Sequence, residues 1–162
     1  MSIREIEAKD FEAIWPIFQE IVEAGETSAY AKGVSKSEAT YFWMEMPRKT
    51  FVFEKDAKIL GAYFLKTNQA GPGSHVCNCF YMVDSLSRGQ GVATQMCQHS
   101  QVMAVELGYE AIQFNYVTTS NAEAVKLWIK LGFKTVGRIP RACKHNEHKY
   151  TDVLIMYKWL EA

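Results

Sequence analysis

Val83-Asp84-Ser85-Leu86-Ser87-Arg88-Gly89-Gln90-Gly91-Val92-Ala93 is the stretch on which the fold turns. An apolar strand pattern ends at Val83, a glycine-containing turn follows, and a helical pattern opens at about residue 91. Gly89 and Gly91 lack a Cβ, so the backbone can turn sharply and bring its N–H groups close to an anion. A helix that opens there adds four unpaired N–H groups and a partial positive charge of about half a unit. Such a strand–turn–helix suits a phosphate or pyrophosphate. It is not a Walker loop, because no Gly-Lys-Ser/Thr follows, and it lacks the G-x-G-x-x-G of a dinucleotide fingerprint. Taken alone, the two glycines are equally well explained as a tight turn between strand and helix.

Working outward, residues 2–7 alternate apolar and polar, which predicts a short strand. Phe11, Ile14, Trp15, Phe18, Ile21 and Val22 recur at helical spacing over 10–24, with Asp10 as a cap, Pro16 to kink or delay the helix, and Gly25 to end it. A polar loop follows, and Ser35-Lys36-Ser37-Glu38 is a capping box for a helix running to Met46. Strands are predicted at 50–55 and 59–67 around an Asp56-Ala57-Lys58 hairpin, and at 75–83. Beyond the quoted stretch, a helix over 91–107 stops at Gly108 and a strand covers 110–117. Asn121 caps a helix to Leu131, and strands cover 133–139 and 150–158. The order β-α-α-β-β-β-α-β-α-β-β predicts an α/β fold, a mixed central sheet flanked by helices on both faces. With no linker or repeat, residues 1–162 read as a single domain.

The composition supports a packed core. Of 162 residues 48% are apolar, and 18 basic residues balance 18 acidic ones. That apolar content excludes disorder, and the zero net charge removes the electrostatic case for a duplex nucleic-acid partner. No run approaches a membrane span and the N-terminus carries no leader pattern, which predicts a soluble cytoplasmic domain away from membranes. Cys77, Cys79, Cys97 and Cys143 read as reduced core thiols. Neither His75-x-Cys77-x-Cys79 nor Cys143, His145 and His148 has the spacing of a zinc site, so no metal is expected.

Arg88-x-x-Gly91-x-Ala93 resembles the Q/R-x-x-G-x-G/A signature of the GNAT (Gcn5-related) N-acetyltransferase family, which cradles the pyrophosphate of acetyl-CoA. About thirty residues on, Asn121-Ala122-Glu123-Ala124-Val125-Lys126-Leu127-Trp128-Ile129-Lys130-Leu131-Gly132-Phe133 resembles that family's second motif. Gly137-Arg138-Ile139-Pro140-Arg141-Ala142 with Tyr150-Thr151-Asp152-Val153, and the loop Ala24-Gly25-Glu26-Thr27, look closest to the phosphinothricin-type branch. The resemblance implies a GNAT fold, with acetyl-CoA as co-substrate. It implies coenzyme contacts at Met82, Val83, Arg88, Gly89, Gln90, Gly91, Val92, Ala93, Thr94, Asn121, Lys126 and Lys130. Because an α-amine is neutral at pH 7 far more often than a lysine-like one, the expected acceptor is a small, amino-acid-like primary amine bound by Glu26, Thr27, Tyr30, Asn78 and Tyr150, in a chain that can form a homodimer. The alternatives are an acyl-CoA-binding module without turnover, or an acetyltransferase for protein or peptide amines.

Three departures from the branch bear on mechanism: Thr151 stands where the branch has a catalytic His, and two more lie at Asn78 and Trp128. Asn78 stands where the branch has a catalytic Glu, and Trp128 stands where many members have the Tyr that protonates the departing thiolate. Packing is the expected role of Trp128. Asn78, Glu26 and the main chain at Tyr81 are the catalytic candidates, with Asp152 a further acid to weigh as base. The 75–83 strand itself carries no carboxylate, so the rate is expected to follow the amine's own ionisation unless a base lies elsewhere.

Overall fold

The apolar runs Phe51–Phe53 and Leu60–Leu65 lie against each other as a hairpin, and the sheet grows outward from it. The computed structural model describes residues 1–161. Its strands are β1 (Ser2–Glu5), β2 (Lys49–Lys55), β3 (Lys58–Thr67), β4 (Val76–Val83), β5 (Ala111–Thr118), β6 (Lys134–Asn146) and β7 (Lys149–Trp159). They form one sheet in the order β1-β2-β3-β4-β5-β7-β6. Neighbours are antiparallel except β4 and β5, which run parallel and pair only through Val76 with Ala111 and Cys77 with Ile112. Beyond Cys77 the two strands part.

Helices cover both faces, as the element order predicts. On one face α1 (Phe11–Ala24) and α2 (Lys36–Thr40) bury Ile14, Phe18, Val22 and Ala39 against Val52, Ala62, Phe64 and Met82. On the other, α3 (Val92–Glu106) and α4 (Ala122–Lys130) bury Met96, Cys97, Ala104 and Trp128 against Tyr63, Cys77, Cys79, Ile112 and Phe114. Strand alternation divides β4 between the two cores: Cys77, Cys79 and Tyr81 pack under α3, while Phe80 and Met82 face α1. All four cysteines are free and buried, as expected of core thiols. No helix of the described residues is long and apolar enough to cross a membrane.

Local chemistry changes several boundaries. Asp10 does not cap α1; its backbone is already helical, and its carboxylate accepts from the Arg4 guanidinium at 2.8 Å and from the Glu7 N–H at 2.8 Å. Pro16 neither delays nor divides α1, because the acceptor it leaves behind belongs to exposed Glu12 and water can satisfy it. The capping box forms as read, with Ser35 Oγ accepting from Glu38 N–H. After Thr40, however, the helix widens into a π-turn over Tyr41–Glu45, closed by Met46 N–H to Tyr41 C=O. That turn buries Trp43 fully and leaves Tyr41 half exposed, so Tyr41 is not a core residue.

The largest difference lies at the end of the chain. β6 and β7 run well past the strands expected at 133–139 and 150–158, and β6 passes straight through Pro140. β6 is an edge strand, so the missing proline N–H costs no ladder bond. A bulge between Ile139 and Cys143, with Arg141 at φ 53°, absorbs the irregularity and returns Cys143 to pair with Thr151.

Candidate active site

The parting of β4 from β5 leaves main-chain groups of β4 without a strand partner. Asp84 N–H donates to Leu60 C=O at 2.8 Å, and Val76 C=O accepts from Asn68 N–H at 2.9 Å. In a strand the N–H and C=O of one residue point the same way and alternate along the chain. The even-numbered residues of β4 therefore turn toward β3, and Cys79, Tyr81 and Val83 turn their N–H and C=O into the gap. Of the three main-chain contacts implied by the family resemblance, Tyr81 and Val83 face the gap. Met82 faces β3 opposite Ala62, and its side chain is buried under α1.

The Tyr81 side chain belongs to the core under α3 rather than to the acceptor side. Its hydroxyl lies 2.7 Å from Ser100 Oγ, and its ring packs 5.1 Å from Trp128. Burial pushes the phenol well above its ordinary range, so it stays neutral. Trp128 also packs on Phe114 at 5.0 Å, which fits the expected packing role.

Asn78 faces the opposite side, toward α1, and spans the gap. Its Nδ2 donates to Gln113 C=O at 2.9 Å, next to the last parallel pair. Gln113 Nε2 in turn donates to Asn115 Oδ1 at 2.9 Å, and Asn115 Nδ2 to Asn68 Oδ1 at 2.6 Å. This row of amides was not legible beforehand, because its members come from β4, β5 and a loop and share no motif. Asn78 as placed is a structural bridge with no capacity to accept a proton.

Below the gap, Gly89 and Gly91 hold φ angles of 76° and 78°. A Cβ on Gly89 would meet nothing within 4 Å, and one on Gly91 only Gln95 Nε2 at 3.9 Å. The protein itself does not fill that space; side chains there would intrude on whatever approaches the loop. Gln95 N–H is the first to bond within α3, to Gly91 C=O, which leaves the N–H groups of Val92, Ala93 and Thr94 without an intrahelical acceptor. Arg88, Gly89, Gln90 and Gly91 are exposed. Together these residues form an anion cradle that fits the pyrophosphate expected from the motif. Asn121 caps α4 through Oδ1 to Ala124 N–H, while Lys126 and Lys130 lie exposed on that helix, Lys126 reaching Glu123 at 3.7 Å.

On the α1 face an aromatic cluster lies beside the gap. Tyr30 packs edge-on to Phe18 and Phe80, at 5.2 and 5.6 Å, and against Phe42 at 4.8 Å. Burial pushes its phenol up to about 12. Ser28 Oγ accepts from Tyr30 N–H and fixes the loop, whereas Glu26 and Thr27 stand exposed. Tyr150 is half exposed on β7 with Lys144 over its ring at 5.9 Å. Asp152, weighed as a base, is otherwise engaged: its carboxylate accepts from Arg141 N–H at 2.9 Å and Arg138 Nε at 2.6 Å. Those bonds hold it below the usual carboxylate range and commit it to the β6 bulge.

A sheet opened between two parallel strands, with positive-φ glycines and free main-chain N–H groups at the head of the next helix, leaves room for an extended anionic ligand along the strand edge. The profile of the Acetyltransferase (GNAT) family matches residues 2–133, and the chain belongs to that family. It is 39% identical to a GCN5-related N-acetyltransferase from Kribbella flavida, over 98% of this chain and 97% of that one, with a TM-score of 0.92. A phosphinothricin acetyltransferase from Sinorhizobium meliloti, solved in complex with AcCoA, is 15% identical. It superposes with a TM-score of 0.86 over 98% of this chain and 88% of its own. N-acetyltransferase aca1 of Schizosaccharomyces pombe is 31% identical over 98 residues; these are 60% of this chain and 47% of that protein. The chain thus matches about half the length of that relative.

Proposed function

We propose that the protein transfers the acetyl group of acetyl-CoA to a primary amine of a small, amino-acid-like molecule. The observation that carries the reading is the pairing of the β4–β5 gap with the cradle at Arg88–Thr94. The cradle N–H groups hold the pyrophosphate, with Arg88 beside it, and the Tyr81 and Val83 main chain receives the acyl arm. Bound acetyl-CoA supplies an acetyl group already activated as a thioester.

The chain's own work is to place the amine and stabilise the oxygen on which charge develops. Main-chain N–H groups turned into the gap suit that charge. Trp128 packs the coenzyme side and donates no proton; a thiol of reference pKa about 8.5 leaves readily enough near neutrality. An α-amine of pKa about 8 is roughly one-tenth neutral at pH 7, a cost of about 1.4 kcal/mol, whereas a lysine-like amine costs about 4.6 kcal/mol. That difference favours an α-amino acceptor, and the Tyr30–Phe42–Phe80 cluster suits an apolar portion of it.

A thermal-shift measurement with acetyl-CoA, followed by thiol release against a panel of amines, tests the reading. Stabilisation with amine-dependent release supports it. Stabilisation with release no faster than hydrolysis would assign the chain to acyl-CoA-binding proteins without turnover.

A further inference from the structure

Along the edge of β4 that looks into the gap, Val83, Tyr81 and Cys79 follow one another inward from the cradle, and over that stretch the strand rises roughly 13 Å. There the passage ends. The parallel pair Cys77–Ile112 closes it, both residues fully buried. On the acceptor face, Asn78 Nδ2 donates to Gln113 C=O at 2.9 Å and ties the two strands together just where their ladder stops. On the opposite face Phe114 is buried under α3, and the Tyr81 ring meets it edge-on at 5.8 Å. The inner end of the gap is thus bounded by a strand pair, a side-chain bridge and an aromatic floor.

Of these three walls only the bridge can yield. The strand pair lies within the continuous sheet, and Phe114 is held by Trp128 at 5.0 Å and by Phe133 at 4.3 Å, so moving either would unpick a close-packed core. The bridge is one side-chain bond, steadied from behind by Gln113 Nε2 on Asn115 and by Asn115 Nδ2 on Asn68. Opening it leaves the Gln113 carbonyl without a donor in a half-buried position, a loss larger than the bond's net worth to stability. A close-fitting slot separates ligands that differ by one methylene by about tenfold or more.

We propose that Asn78 sets the length of acyl group the protein accepts. Its bridge to Gln113 is the end stop of the acyl slot, and it confines the thioester's acyl group to acetyl size, excluding butyryl and longer chains. The proposal rests on the reading above that the gap receives the acyl arm. An arm that enters from the cradle and follows the edge of β4 meets the bridge head-on. A longer chain has to break the bridge or buckle within the slot, and either loss is absent for acetyl. Asn78 acts here by fit alone and exchanges no proton.

The experiment is calorimetry of CoA, acetyl-CoA and butyryl-CoA on the wild type and on Asn78→Ala, Asn78→Ser and Asn115→Ala, each acyl affinity expressed relative to CoA. That reference separates a change in the acyl slot from damage to the fold or to the cradle. Asn78→Ser shortens the side chain while keeping it polar, which provides a second variant should alanine fold poorly. Asn115→Ala disturbs the amide row behind the bridge and leaves the bridge itself in place. Wild type and Asn115→Ala are expected to bind butyryl-CoA about tenfold or more weakly than acetyl-CoA. In both Asn78 variants that difference should shrink to about threefold or less. Asn78 variants that keep the wild-type ratio, or a wild type that takes butyryl-CoA as tightly as acetyl-CoA, would overturn the end stop and leave acetyl transfer standing. If the wild type binds neither CoA nor acetyl-CoA, the reading of the gap falls and the end stop with it.

Discussion

Asn78 and Gln113 meet across the point where the sheet opens: the Asn78 side-chain N–H donates to the Gln113 carbonyl at 2.9 Å. The bond sits one residue past the last parallel pair, Cys77 with Ile112. It takes the place of a ladder bond and sets where the gap begins. An acid at this position could not make this bond while ionised, since a carboxylate only accepts.

Replacing Asn78 by Ala should therefore cost about 1 kcal/mol of stability, the usual worth of one such bond. Asn78→Glu should cost more, because it sets a carboxylate against a carbonyl oxygen. Urea titration of the two variants checks the order. Glu proving as stable as Asn would mean the bridge is dispensable.

Gly91→Val should weaken acetyl-CoA binding tenfold or more, on the order of 1.4 kcal/mol. Valine is strained at φ 78°, and its branches occupy the space the cradle keeps open. Calorimetry on the folded variant measures the loss, and an unchanged affinity would remove the loop from the coenzyme site.

Trp128→Phe should keep kcat within about threefold of wild type. The indole is buried among Tyr81, Phe114 and Phe133, and phenylalanine keeps most of that packing. Steady-state rates decide; a hundredfold fall would show a role for the indole N–H that packing does not explain.

Asp10 should make the fold sensitive to acid. Its carboxylate lies below the ordinary value of 3.8 because the Arg4 guanidinium bonds it, helped by the Glu7 N–H. A folded-state pKa below the unfolded one stabilises fully above the unfolded value and is lost as pH falls through the folded one. Asp10→Asn should be less stable than wild type at pH 7, by about 2 kcal/mol, the scale of a charged hydrogen bond left unmade. The gap should narrow as pH falls below the ordinary value of 3.8 and through the lower folded-state value. Thermal melts at pH 7 and stepwise through the acid range test both halves.

Much of the fold was legible because its signals are local. The capping box at Ser35 and Glu38, the Asp56-Ala57 turn with both φ angles positive, and Gly91 ahead of α3 act within a few residues of themselves. The open turn at Gly89 and Gly91 was legible for the same reason. The extent of β6 was not. Proline ends a strand by any local rule, and Pro140 is tolerated only because β6 lies at the sheet edge.

The sequence alone determined the element order and the glycine turn ahead of α3, since hydrophobic period and turn chemistry depend on near neighbours. Only the tertiary structure decided which carboxylates were already occupied, which β4 main-chain groups look into the gap, and that Asn78 bridges to Gln113. Those properties depend on strand register, and register is set by pairing between residues far apart in the chain. Asp152 is the plainest case: an apparently free acid in the sequence, it is held by Arg138 and Arg141 once the bulge in β6 brings them across.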